Sequence, residues 1–243
     1  MRIGVVSDIH SNLDAFRTVL DHMGPVDQVW CLGDTVGYGP EPNECVQTLA
    51  ALPHLAVAGN HDSAAIGRLG IEGFNPHAAA AARWTMDRLT NTSREYLSGL
   101  ALKTESGEFT LAHGSPRDPT WEYVLSASAA EASFRCFAGR FCLVGHTHVP
   151  SVFVRVESGE VSAHQIVDQV ELELDQPGAR FILNPGSVGQ PRDQDPRAAY
   201  LIVDTDPPRA SWHRVAYPIE STQRKMRRAG LPLPLIERLS VGW

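Results

Sequence analysis

Ten histidines are present in this 243-residue chain, and several of them stand beside aspartates and glycines in short polar clusters. The clusters are Asp8-Ile9-His10, Gly33-Asp34, Gly59-Asn60-His61-Asp62, His113-Gly114 and Gly145-His146-Thr147-His148. Imidazole nitrogen, carboxylate oxygen and amide oxygen together suit Mn, Fe, Co, Ni or Zn better than calcium, which prefers an all-oxygen shell. Singly, each cluster is weak. An aspartate after a strand more often caps a helix or a turn, and an isolated histidine such as His113 more often packs. Gly-His-Thr-His says more, because two imidazoles two residues apart on an irregular loop can face one ion. The weight lies in the repetition, since all five clusters follow an apolar run.

Those runs read as strands at residues 2–6, 28–32, 55–58, 109–112 and 141–144. Open α/β sheets place ligands at the carboxyl ends of their strands, so five strand ends would deliver donors to one rim. Leu13, Phe16, Leu20 and Met23 recur at helical spacing, and Ser11 with Asp14 suggests a capped start. A helix is expected over 42–52 with Pro42 in its first turn. Residues 74–100 read as mostly helical, with a new cap at Thr92-Ser93. Further strands follow at 152–156, 161–166, 170–174, 181–183 and 200–203, the first two joined by a turn at 157–160. A basic helix over 220–229 leads into a proline-punctuated tail. The expectation is one α/β domain over 1–243, with parallel units giving way to antiparallel pairing and a C-terminal helical tail from about 219.

With 21 Lys and Arg against 28 Asp and Glu, the formal charge is −7. Stable nucleic-acid binding is therefore not expected, since it rests on basic residues neutralising phosphates. No signal-peptide pattern opens the sequence and no apolar run could cross a bilayer, so no membrane role is expected. Cys31, Cys45, Cys136 and Cys142 lack CxxC spacing and read as packing residues of a cytoplasmic protein.

In order and approximate spacing, the five clusters resemble the motifs of the calcineurin-like metallophosphoesterases over residues 1 to about 150. Asn184-Pro185-Gly186-Ser187 resembles a later segment of the small prokaryotic phosphodiesterase branch and extends the likeness to about 204. The resemblance implies a four-layer α/β fold, two mixed β-sheets packed as a sandwich with flanking helices. It also implies two divalent metal ions, with Mn the first choice and Fe, Ni, Co or Zn as alternatives. Asp8, His10 and His148 would hold one ion, Asn60, His113 and His146 the other, and Asp34 would bridge them. His61 would be the catalytic histidine beside the metals, with Asp62 orienting it.

Such a site suits phosphate esters. Two cations clamp the oxygens of an in-line displacement and generate a bridging hydroxide. Their four positive charges exceed the two negative ones of Asp8 and Asp34, so the site is cationic within an acidic protein. Arg117 and Arg192 are candidates to hold phosphate oxygens, since a guanidinium matches them bidentately, and Tyr38 in Gly37-Tyr38-Gly39-Pro40 could wall the site. The function expected is hydrolysis of a small phosphoester substrate, a phosphodiester first, with phosphomonoester, phosphoprotein or nucleotide hydrolysis as the alternative. A non-catalytic interaction scaffold fits less well, because no ligand is missing. Metallo-β-lactamase-like chemistry would need Asp-His after His-x-His, where Val149-Pro150 stands.

Overall fold

Alternating side chains sort each strand between two layers, and this sorting builds the molecule. In the computed structural model, which describes residues 1–243, β1 (Arg2–Val6), α1 (Leu13–Met23), β2 (Gln28–Cys31), α2 (Pro42–Ala50) and β3 (His54–Ala56) form parallel β-α units. Three helices follow, α3 (Asn60–Ala65), α4 (Pro76–Arg88) and α5 (Asn91–Ser98). The middle of the chain gives β4 (Lys103–Ser106), β5 (Phe109–Ala112), α6 (Ala127–Phe134), β6 (Phe141–Leu143), β7 (Ser151–Arg155) and β8 (Val161–Gln165). The last third gives β9 (Val170–Glu173), β10 (Arg180–Asn184), β11 (Ala198–Thr205), β12 (Pro208–Val215), α7 (Ile219–Arg228), α8 (Leu233–Glu237) and a 3₁₀ turn at Arg238–Ser240.

Two six-stranded mixed sheets result, ordered β3-β2-β1-β11-β12-β9 and β4-β5-β6-β10-β7-β8. Ile3 and Val5 of β1 and Leu201 and Val203 of β11 point inward, against Leu111, Leu143, Phe181 and Leu183 of the other sheet. The intervening residues point outward. Val6, Tyr200 and Ile202 meet Phe16 and Val19 of α1, while Cys142 and Ile182 meet Phe134 of α6. The layers are thus helix, sheet, sheet, helix, as the family resemblance implied. Each large apolar side chain buried in the middle layer contributes roughly 1.5–3 kcal/mol, so Phe181→Ala should cost about 3–5 kcal/mol.

Some boundaries differ from expectation for identifiable reasons. Asn12, not Ser11, caps α1, its Oδ1 accepting from the Ala15 N–H at 3.2 Å. Thr90, not Thr92-Ser93, caps α5 in the same way through the Ser93 N–H. β4, α6 and β12 were not anticipated. β12 carries Arg209, Ser211 and His213 between its buried Ala210, Trp212 and Arg214, so its alternation lacks an apolar signature. Arg214 is buried because Asp193 pairs with it there. No helix is long and apolar enough to cross a membrane.

Candidate metal centre and cleft

Main-chain ties fix the loops that leave the strands. The Asp8 N–H donates to Gly33 O at 3.0 Å and the His10 N–H to Asp34 O at 2.9 Å, locking the β1 loop to the β2 loop. The β5 and β6 loops are joined by the Gly145 N–H on His113 O at 2.8 Å. Asn184 steadies this corner, its Nδ2 donating to Gly145 O at 2.8 Å, while Ser187 Oγ donates to Asp8 O at 2.9 Å. The Asn184 to Ser187 motif is therefore a clamp between the two sheets' loops. Two glycines are required by closeness. A Cβ on Gly59 would stand 2.0 Å from Asp34 Oδ1, and one on Gly145 would stand 2.0 Å from Ser7 Oγ.

Left-handed backbone marks the site. Asp8, His10, Asp34, His146 and His148 all have φ between 49° and 65°, a region that non-glycine residues enter at a cost of about 1 kcal/mol or more each. Five such residues in one place persist only because the hydrogen bonds around them fix the loops.

The side chains form two donor sets that share Asp34. In the first, His10 Nε2 lies 3.2 Å from His148 Nε2, and Asp8 Oδ1 lies 3.2 Å from His148 Nε2 and 3.7 Å from His10 Nε2. His148 Nδ1 donates to Gln190 O at 2.5 Å and His10 Nδ1 faces Val36 O at 3.3 Å. Carbonyls only accept, so in the neutral rings the proton is on Nδ1 and two Nε2 lone pairs face each other. In the second set, His113 Nε2 lies 3.1 Å from Asn60 Oδ1, 3.0 Å from His146 Nδ1 and 3.3 Å from Asp34 Oδ2, while its Nδ1 donates to Leu32 O at 2.8 Å. Asp34 Oδ2 also lies 3.7 Å from His10 Nε2.

This arrangement fits cations. Asp8 Oδ1 and Asp34 Oδ2 are buried with no hydrogen-bond partner, a costly state for a carboxylate unless a positive charge accompanies it. Burial pushes His10 and His148 well below the usual imidazole range and His146 down to about 3, so their lone pairs are free to bind metal. His113 behaves differently. Burial lowers it, but the Asp34 carboxylate beside it, with Asp8 and the Leu32 carbonyl, holds it up at about 9, so a metal ion binding there would displace that proton. Asp8 is raised to about 7, chiefly by burial.

A cleft of about 210 Å³ opens onto these donors. His61 lines it, its main-chain N–H donating to Asp34 Oδ1 at 2.8 Å. Its ring is held by Tyr38 at 4.3 Å and, edge-on, by Phe74 at 4.8 Å. The expected pairing with Asp62 is not made. Both Asp62 oxygens are taken by main-chain N–H groups, of Val36 at 3.0 Å and Gly59 at 3.0 Å, so Asp62 joins the two loops and leaves His61 Nδ1 without a partner.

Of the three residues expected to meet substrate, Tyr38 and Arg192 line the cleft, with Arg192 Nη2 3.0 Å from Gln190 Oε1 and 3.4 Å from the Tyr38 hydroxyl. Arg117 does not. It is exposed, paired with Glu122 through Nε at 3.0 Å and through Nη2, and is not among the residues that line the cleft. Missed from the sequence were Phe74, Trp121, Tyr123 and Arg238, which complete the walls. Tyr123 stacks on His146 at 4.1 Å, and Trp121 meets Phe74 edge-on at 5.4 Å. No spacing rule links such residues to the metal clusters. Only the exposure of large aromatic rings, 37% for Trp121 and 45% for Tyr123, singles them out.

Comparison with known proteins gives a consistent result. The calcineurin-like phosphoesterase superfamily domain matches residues 1–207. The chain is 37% identical to an uncharacterised protein of Methanocaldococcus jannaschii, over 99% of this chain and 98% of that one. Among solved structures it is similar to a metallophosphoesterase from Sphaerobacter thermophilus, with 47% identity, a TM-score of 0.91 and coverage of 100% and 99% of the two chains. A hypothetical protein of Pyrococcus horikoshii shares the fold at 20% identity and a TM-score of 0.79, over 100% and 98%.

Proposed function

The chain belongs to the calcineurin-like phosphoesterase superfamily, and we propose that it hydrolyses phosphodiesters with the help of two divalent metal ions. The observation that carries this reading is the pair of converging donor sets, with facing histidine nitrogens and two orphaned carboxylate oxygens, at the floor of an accessible cleft. Asp8, His10 and His148 would hold one ion, Asn60, His113 and His146 the second, and Asp34, whose Oδ2 lies 3.7 Å from His10 Nε2 and 3.3 Å from His113 Nε2, would be shared by both. Manganese is our first choice, with Fe, Co, Ni and Zn compatible with the same mixed donors. Bound there, such ions supply Lewis acidity toward phosphoryl oxygens and bring a water's pKa toward neutrality.

The remaining work falls to the chain's own groups. Arg192 presents a guanidinium to phosphate oxygens from the Tyr38 side of the cleft. His61 faces the reacting phosphorus. Burial, partly offset by Asp34, draws its ring down to about 4, and its role in this reading would be to give a proton to the departing ester oxygen. Phe74, Trp121 and Tyr123 set three aromatic rings into an otherwise polar cleft, and these rings would pack against an organic substituent of the ester.

The test is a comparison of bis-4-nitrophenyl phosphate with 4-nitrophenyl phosphate on Mn-loaded protein. The reading expects the larger kcat/KM on the diester. Turnover of the monoester alone would make the protein a phosphomonoesterase, and turnover of neither, with metal bound, would favour a binding scaffold.

A further inference from the structure

We propose that Arg238, delivered by the C-terminal tail, forms with Arg192 a clamp for a second phosphate group, so that the substrate carries another phosphate besides the one cleaved. The inference deepens the phosphoesterase reading and rests on it.

The tail is built to hold Arg238 still. Leu235, Ile236 and Leu239, on both sides of it in sequence, are buried in a cluster with Tyr38, Ala78 and Met226. Gln223 Nε2 donates to Ile236 O at 2.8 Å, and beyond the 3₁₀ turn the Gln194 N–H donates to Gly242 O at 2.9 Å. The last hydrogen bond ties the tail to the segment that carries Arg192. Arg238 Nε itself donates to the main-chain oxygen of Trp243, and its side chain lines the same cleft as Arg192. This placement lies beyond residues 1–207, which the superfamily domain matches.

Charge is the reason to expect an anion there. Neither Arg192 nor Arg238 reaches an Asp or Glu side chain: Arg192 Nη2 meets only the neutral Gln190 Oε1 and Tyr38 hydroxyl, and Arg238 meets the Trp243 oxygen through Nε alone. Burial and the neighbouring Arg192 guanidinium depress Arg238 to about 10; the two half-buried cations repel each other, and the Trp243 oxygen occupies only Nε of Arg238. Arg192 Nε is in addition a buried donor with no acceptor. Metal ions held by Asp8 and Asp34 would already exceed the single charge of a phosphodiester. Arg238 therefore adds a second guanidinium beside Arg192, so that the pair can span the cleaved phosphate and a second anionic group, and phosphate fits their planar forks.

The experiment is calorimetric titration of Mn-loaded protein with AMP, ADP and adenosine 3′,5′-bisphosphate, in wild type, Arg238→Ala and Arg238→Lys. At least one two-phosphate probe should bind roughly tenfold to hundredfold more tightly than AMP, as expected for added charge-assisted hydrogen bonds. Arg238→Ala should bring that ratio close to one, and Arg238→Lys, which keeps the stem and charge but not the fork, should retain part of it. Unchanged preference in Arg238→Ala would overturn the proposal, as would a wild type with no preference or an equal loss for all three probes in both variants. Binding is read without turnover, so these outcomes remain distinct from a failure of the phosphodiesterase reading.

Discussion

Replacing His61 by alanine separates the two roles that its position allows. The ring lies close enough to His10 and Asp34 to act with them as a metal ligand, yet the proposed function places it on the substrate. The residue's tie to the metal floor runs through its main-chain N–H to Asp34 Oδ1 at 2.8 Å, and alanine keeps that N–H. Metal should therefore stay, while the ring's contribution is lost. General acid catalysis is worth about 10²- to 10⁴-fold, which corresponds to roughly 2.7–5.4 kcal/mol of barrier. The loss should be largest for an alkyl leaving group and shrink for nitrophenolate, which departs readily as an anion. His61→Asn, which keeps a donor, should recover part of the rate if hydrogen bonding to the phosphoryl group contributes. The assay is kcat on matched aryl and alkyl diesters, with metal content measured on the same samples. Equal losses on both substrates would refute proton transfer by His61. Release of an ion in His61→Ala would show it to be a ligand.

Other expectations follow from single contacts. Asp34→Asn keeps an oxygen at the bridging position but loses the charge that both donor sets share, so both ions should weaken together, on the order of 100-fold or more by metal titration; loss of one alone would argue against sharing. Asp62→Asn turns an amide NH₂ toward one of two buried main-chain N–H donors and should lower unfolding stability by about 1–3 kcal/mol in denaturant titration. Arg117→Ala should leave KM within about twofold, because Arg117 is spent on Glu122 outside the cleft; surface changes of this kind seldom reach further. Asp14 binds Lys225 at 2.7 Å and so ties α1 to α7; burial opposes its ionisation, but Lys225 together with the Ser221 and Thr222 hydroxyls outweighs it and lowers the pKa. A depressed carboxylate pKa gives stability that is present above the unfolded value and lost as pH falls through the folded one, so wild type should lose stability below about pH 4 and Asp14→Asn should lose less.

The sequence was most legible where side-chain chemistry and strand periodicity coincide. Asp8, Asp34, His113 and His146 each follow an apolar strand at its carboxyl end, and the parallel pairing of β1 with β2 and of β5 with β6 brings them together. Patterning failed where tertiary contacts replace it. β12 alternates around Arg214, a buried charge whose partner Asp193 is 21 residues away in sequence. Asp62 stands beside His61 in the chain, which suggested that the two pair, but α3 begins at Asn60 and turns the carboxylate back onto the main chain of the neighbouring loop. Arg117 follows a motif histidine closely, yet Glu122 captures it within the same loop. Arg238 and Trp121 reach the cleft from segments with no motif of their own, and only the packing of the tail and the loop after β5 reveals them.

The most direct test of the account is metal stoichiometry measured together with phosphodiester hydrolysis. Protein stripped by chelator and shown by elemental analysis to be metal-free should not cleave bis-4-nitrophenyl phosphate. On titration with Mn, activity should rise as two ions bind per chain and level off there. Full turnover by the metal-free protein, or saturation of activity with a single ion bound, would contradict the shared two-ion centre around Asp34.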